Sequence, residues 1–234
     1  KVAEETPILL NRAPSLHKFS IMAFKLKIVE HQDGQVVRNI YLNPLVTPGF
    51  NADFDGDTMA VHAPLSERAV EEAKNLMMPS QNLISPKDGK MVIEIRHEMA
   101  LGSYYLTQKR EPKGKPEMFT GWNPLWRAYK DGKVTIDQAV TINNRTETAG
   151  MWLFFGIFPE PYRSRYMYEI KTGKIKGMGE KQCGKLLREI YDDISEGNKE
   201  AGKLALTDLS IMINRVKDVS FKAATRSGLS VSIK

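Results

Sequence analysis

The chain has 234 residues, 41% of them hydrophobic and 26% charged, with a formal net charge of +6. That length can bury a real core and is expected to hold one or two domains. The single cysteine, Cys183, excludes an internal disulfide framework, and no apolar run approaches the roughly 18 residues of a membrane span. No signal-peptide pattern opens the sequence, so a cytoplasmic protein with no membrane partner is expected. It begins at Lys1 rather than Met, which is the expectation for a processed product or part of a longer polypeptide. The charge is uneven. Residues 1–110 balance, whereas 111–234 carry 21 Lys+Arg against 15 Asp+Glu, the whole of the excess. A basic second half suits a polyanionic partner, although surface lysines also serve solubility.

In chain order, residues 8–48 read as short extended runs. "KLKIV" and "VVRNIYL" are rich in β-branched residues, and "HQDGQ" between them holds an Asp-Gly turn signal. "LVTPGF" and "MAVH" have the apolar character of core strands. "LSERAVEEAKNLMM" predicts a helix with Ser66 as N-cap, acids in its first turn and a stripe of Ala69, Val70, Ala73, Leu76 and Met77. "SPKDGKMVIEI" predicts a turn and a strand, and 96–108 a helix. "KREPKGKPEMFTG", near 109–121, is rich in Lys, Pro and Gly and is expected to be an exposed loop or boundary. Further on, "MGEKQCGKLLREIYDDISEG" predicts a helix ending at Gly197, and 200–226 a long helix stopping near Gly228. The stretch "GEKQCGKL" (179–186) approximates a phosphate-binding loop. Leu186 stands where a Ser or Thr would contact Mg²⁺, so the helical reading, with Leu186, Leu187 and Ile190 on a core face, is preferred.

The stretch with chemical content is "FNADFDGDTMAVH" (50–62), which places Asp53, Asp55 and Asp57 at a spacing of two. Three carboxylates in five residues repel one another unless a cation neutralises them. Mg²⁺ takes oxygen ligands in octahedral geometry, and alternate residues of an extended run share a face, so the three can converge on one ion. Gly56 permits a tight turn between the last two, and Phe54, facing away, is expected to anchor the loop in the core. A calcium EF-hand counted from Asp53 would need Gly at 58 and Glu at 64, where Thr58 and Pro64 stand.

"NADFDGD" resembles the catalytic signature of the largest, β′-type subunit of multisubunit DNA-dependent RNA polymerases. Further blocks resemble the same family in order and spacing: "PILLNRAPSLHKFSIMAF" (7–24), "HAPLSERAVEEAKNLMMPSQNLISPKDG" (62–89), "LGSYYLT" (101–107) and "AATRSGLSVSI" (223–233). The resemblance is close over 7–107 and patchy over 108–222. It implies an α+β fold: a double-psi β-barrel in residues 1–85 carrying the aspartate loop, then a mostly helical pore-lining region in 86–234.

The implied reaction is templated addition of NMP to an RNA 3′ end with release of pyrophosphate. One Mg²⁺ would be held by Asp53, Asp55 and Asp57, and a second would arrive with the NTP in a two-metal mechanism. By resemblance Asn51 and Arg12 contact the ribose hydroxyls. The alternative for Asn51 is a turn residue, and for Arg12 a buried ion-pair partner. His17 and Lys18 are weaker candidates for nucleic-acid contact, and His62 is expected to be structural. Three positions depart from the family pattern: Asn43 for histidine, and Thr58 and Arg96 for glutamine. They imply a divergent, bacteriophage-like lineage, with the chain either one segment of a naturally split subunit or a piece of a longer one. The implied partners are a β-type subunit, the remaining β′-type segments, DNA template, RNA product and NTPs, in the host bacterial cytoplasm if viral. Competing readings are a non-catalytic assembly scaffold and a fragment of a single-chain, two-barrel RNA polymerase.

Overall fold

In a computed structural model, which describes residues 6–28, 39–197 and 204–228, the chain divides into two units, Lys1–Glu94 and Ile95–Lys234. The first is built on a three-stranded antiparallel sheet of β1 (Pro7–Asn11), β2 (Ile21–Lys25) and β3 (Ala60–His62), with β1 in the middle. Leu10 pairs with Met22 on one side and Val61 on the other. Leu10 and Met22 are buried with Phe19, Val46 and Phe50, and Ala52 and Met59 pack against this cluster. A short turn of 3₁₀ helix, Pro44–Val46, runs into α1 (Thr47–Phe50). Asn43 starts it by accepting a hydrogen bond from the Leu45 N–H at 3.1 Å. Phe50 of α1 stacks on Phe24 of β2, ring centres 6.0 Å apart. In α2 (Glu67–Leu76) the Ser66 hydroxyl accepts from the Ala69 N–H at 3.2 Å, as the sequence predicts, and Ala73 is the buried residue of the inner face.

The second unit is largely helical. Its helices are α3 (His97–Thr107), α4 (Trp122–Lys130), α5 (Ala149–Phe155), α6 (Glu160–Lys171), α7 (Glu180–Ser195) and α8 (Leu206–Ser227). A second small sheet, β4 (Lys113–Met118), β5 (Gln138–Ile142) and β6 (Arg145–Thr148), lies among them. β5 and β6 form a hairpin through Asn143 and Asn144, both with φ near +50 to +60°. Asparagine tolerates that region because its short side chain bonds locally. Every residue of α5 is buried, and Trp152, Leu153, Phe154 and Phe155 centre the core. α3 and α8 cross so closely that the Ser103 and Ser220 hydroxyls bond at 2.8 Å. Gly102 is required there, since a Cβ would fall 1.9 Å from the Ser220 carbonyl oxygen. Cys183 lies inside α7, and burial pushes its thiol pKa up to about 12, which suits a packing residue. No helix among the described residues is long and apolar enough to cross a membrane.

The α+β class stands, yet several expected elements differ. Among the described residues there is no closed barrel. Val29 of "KLKIV" and the first three residues of "VVRNIYL", with the turn between them, fall on 29–38, outside those residues; of the rest, Lys25 ends β2, and 26–28 and 39–42 are not strand. "LVTPGF" is buried as expected but helical, because Pro44 and Pro48 each sit at a helix start, where a missing N–H costs nothing. "MAVH" supplies strand β3, but all three of its residues are exposed, so it is an edge and not a core strand. In "SPKDGKMVIEI" the pairing is a single bridge, Ile84 to Met91. The loop expected near 109–121 contains exposed strand β4. The long C-terminal helix starts at Leu206, and 200–203 lie outside the described residues. The stretch 179–186 is helical with Leu186, Leu187 and Ile190 buried, as expected.

The α3–α8 crossing is directly testable. Gly102→Ala must push the helices apart and should cost about 1–3 kcal/mol in a denaturant titration, the usual range for overpacking. An unchanged unfolding midpoint would show that the crossing relaxes freely.

Candidate metal centre

Two supports hold the aspartate loop in place. At its start, α1 ends at Asn51, which adopts the left-handed conformation (φ 49°, ψ 45°) and closes the helix through its N–H to the Pro48 carbonyl. At its end, β3 joins the sheet by pairing Ala60 with Asn11. Ala52 and Met59, just inside these ends, pack on the core. Between them the chain bends, with Gly56 at φ +124°, a value that strains any other residue. Phe54, expected to anchor the loop, is 68% exposed. The loop is bent rather than extended, so its odd and even residues do not separate into an inner and an outer face. Anchoring falls to Ala52 and Met59 instead.

The three carboxylates nevertheless converge. Asp53, Asp55 and Asp57 are exposed, and one oxygen from each lies within 4.8 Å of the others. The strand register adds a fourth member. Because Asn11 pairs with Ala60, the next residue, Arg12, comes alongside Asp57. Its Nε donates to Asp57 Oδ2 at 2.8 Å and its Nη2 to Oδ1 at 3.2 Å. The Asp53 N–H also donates to Oδ2, at 3.2 Å. The Arg12 backbone is itself held by its N–H to the Ser20 carbonyl at 3.1 Å.

This arrangement divides the carboxylates electrostatically. The Arg12 guanidinium, helped by the Asp53 N–H, holds the Asp57 carboxyl below the usual carboxylate range. Asp55 is pushed the other way: it shares a hydrogen bond with Asp53, and the Asp53 and Asp57 charges disfavour its own. The donor set is all oxygen and open to solvent, which fits a hard divalent cation such as Mg²⁺. An open groove of about 710 Å³, lined among others by Tyr41, Leu42 and Met59, runs against Asp53 and Asp57.

Of the sequence candidates, the structure brings Arg12 and the three aspartates together. Asn51 does not share an extended run with the aspartates: it ends α1 and is followed by bends. Arg12 takes up the ion-pair role, with the two side chains 22% and 24% accessible rather than buried. His17 is structural: its Nδ1 accepts from the Phe19 N–H at 3.2 Å. Lys18 donates to Asn82 Oδ1 at 3.0 Å. His62 is exposed on edge strand β3. Arg96 precedes α3 and lies 3.7 Å from Glu180. Sequence reasoning missed the Arg12–Asp57 pair, which joins residues 45 positions apart and depends on the β1–β3 register. A charge count around the loop could have asked for a counter-cation without choosing one.

These features define a class: a segment with a small antiparallel sheet that carries an exposed, carboxylate-rich loop, followed by a helical unit. Comparison with known proteins is specific. Residues 1–79 match the family model for RNA polymerase Rpb1, domain 2, and residues 82–234 that for RNA polymerase Rpb1, domain 3. DNA-directed RNA polymerase subunits beta′ of Staphylococcus aureus strains Mu50 / ATCC 700699 and N315 are each 35% identical over 268 residues, covering 100% of this chain. The chain therefore belongs to the family of the largest, β′-type subunit of DNA-directed RNA polymerases. It spans 22% of the length of these relatives.

The opposed environments of Asp55 and Asp57 give a titration test. In the metal-free protein, Asp57 should lose its proton at lower pH than Asp55, as followed by carboxyl ¹³C shifts. Arg12→Ala, which removes the main cause of the depression, should raise Asp57 toward Asp55. Coincident titration of the two in the unaltered protein would contradict the geometry.

Proposed function

We propose that this chain supplies the catalytic metal loop of an RNA polymerase, with Asp53, Asp55 and Asp57 holding Mg²⁺ during templated addition of NMP to an RNA 3′ end. The observation that carries the reading is the convergence of the three exposed carboxylates on one point. When bound there, Mg²⁺ would activate the 3′-OH as a nucleophile and offset charge on the transferring phosphate, with a second ion arriving with the NTP. The chain's own part is to hold three oxygens in place before substrate arrives, which is positioning combined with electrostatics. Binding a cation must displace the proton that Asp55 retains at low pH. Metal affinity is therefore full above the raised Asp55 pKa and falls as the pH drops through it.

Asn51 and Arg12 are assigned to the ribose hydroxyls. Asn51 is exposed where α1 enters the loop, and Arg12 keeps N–H donors beyond the two it spends on Asp57. The double-psi β-barrel is retained as the reading of residues 1–85, supported by the β2–β1–β3 sheet with the aspartate loop entering β3. Residues 86–234 are read as the pore-lining part. The partners are a β-type subunit, the remaining β′-type segments, template, RNA and NTPs, in a cytoplasmic setting. The departures at Asn43, Thr58 and Arg96 support a divergent lineage such as a bacteriophage. None of the three is a metal ligand, and Asn43 serves as the cap of the turn before α1. The intact triad weighs against a pure scaffold, which has no use for convergent carboxylates. The family match over both units weighs against a single-chain polymerase.

Asp55→Ala should abolish NMP addition by the assembled complex while leaving assembly intact; retention of more than a few per cent of elongation would overturn the metal reading. Asn51→Ala should lower the preference for ATP over 2′-dATP, as the ratio of kcat/KM values, by about 5- to 150-fold, the worth of one hydrogen bond in a dry site. An unchanged ratio would return Asn51 to a helix-ending role alone.

A further inference from the structure

The Arg12–Asp57 pair does more to the loop than offset one charge. A carboxylate has two oxygens and roughly four lone-pair sites. On Asp57, Oδ2 accepts from both Arg12 Nε and the Asp53 N–H, at 2.8 and 3.2 Å, so both of its sites are spent. Oδ1 accepts from Arg12 Nη2 at 3.2 Å and keeps one site. With the pair intact, Asp57 can offer a cation one lone pair, on one oxygen.

We infer that Arg12 is a positioning residue that sets cation choice: its two-pronged grip confines Asp57 to single-oxygen ligation and so disfavours Ca²⁺ relative to Mg²⁺. The physical basis is the difference between the ions. Mg²⁺ needs six well-placed oxygens at short range and is served by single-oxygen carboxylates and water. Ca²⁺ takes six to eight oxygens and gains from carboxylates that chelate through both. An exposed cluster of three aspartates would otherwise have little means to refuse Ca²⁺, because nothing else around it fixes the coordination number. Two features make the grip firm. The guanidinium is planar and its fork matches the carboxylate, which a lysine ammonium cannot reproduce. The Arg12 backbone is tied to Ser20 one residue beyond the paired end of β1, so the head group approaches from a fixed origin.

This inference rests on the proposed Mg²⁺ site, and the test separates the two. Mn²⁺ binding to the assembled complex, without nucleic acid or nucleotide, is followed by electron paramagnetic resonance and displaced by Mg²⁺ or by Ca²⁺. The variants are Arg12→Lys, which keeps the charge and loses the fork, Arg12→Ala, which loses both, and Asp55→Ala as the site control. Both Arg12 variants are expected to shift the Mg²⁺ to Ca²⁺ affinity ratio toward Ca²⁺ by about tenfold, the low end of what groups supporting a metal ligand contribute. A role through charge alone gives a different pattern, because both ions carry the same charge. Arg12→Ala would then change all three affinities by a common factor, Arg12→Lys would match the unaltered protein, and the inference would be overturned. Mn²⁺ binding that survives Asp55→Ala unchanged would instead overturn the metal site itself.

Discussion

Mutual repulsion among Asp53, Asp55 and Asp57 is the constraint around which the first unit is arranged. Three carboxylates within five residues cannot sit at one point without compensation, and the fold provides it in two ways. Arg12 neutralises Asp57 directly, and a shared hydrogen bond links Asp55 to Asp53. The first is not local in origin. Arg12 reaches the loop because β1 and β3 pair with Asn11 opposite Ala60, so the sheet register sets the electrostatics of the loop. A slip of one residue would turn alternate side chains to the other face and take Arg12 away from Asp57.

The same economy governs how the loop is held. Its tip is exposed, down to Phe54, and its rigidity comes from both ends. A helix turn terminated by left-handed Asn51 leads in, a strand paired to the centre of the sheet leads out, and Ala52 and Met59 pack on the core. An open tip between fixed ends keeps the carboxylates in solvent, as the proposed metal site requires, since burying them unpaired would raise their pKa values and neutralise them. The second unit has the opposite character. Its core of Trp152, Phe154, Phe155 and their neighbours is buried, its cysteine is a packing residue, and its closest crossing, α3 on α8, depends on a glycine and a buried serine pair.

Much of this was legible in the chain itself. The aspartate spacing announced a cluster of carboxylates, Ser66 announced the start of α2, and Leu186, Leu187 and Ile190 announced the buried face of α7; each signal is carried by residues close in sequence. Readings failed where local chemistry was ambiguous. "LVTPGF" is as apolar as a strand, and Pro48 within it and Pro44 just before it, placed at helix starts, decided otherwise. An extended aspartate loop was the simplest way to align three carboxylates, but the chain aligns them through bends around Gly56, which bring one oxygen of each within 4.8 Å without a common strand face.

The sequence by itself determined the donor chemistry, three carboxylates with a glycine to turn on, and the family to which that loop and its flanking blocks belong. It also determined helices α2, α3, α7 and α8, because caps and periodic apolar positions act over a few residues, but not α1, α4, α5 or α6. Only the tertiary structure decided that Arg12 grips Asp57, that Asn51 ends a helix, and that the loop is anchored by Ala52 and Met59 and not by Phe54. Those outcomes rest on strand register and core packing between residues tens of positions apart, which no local pattern encodes.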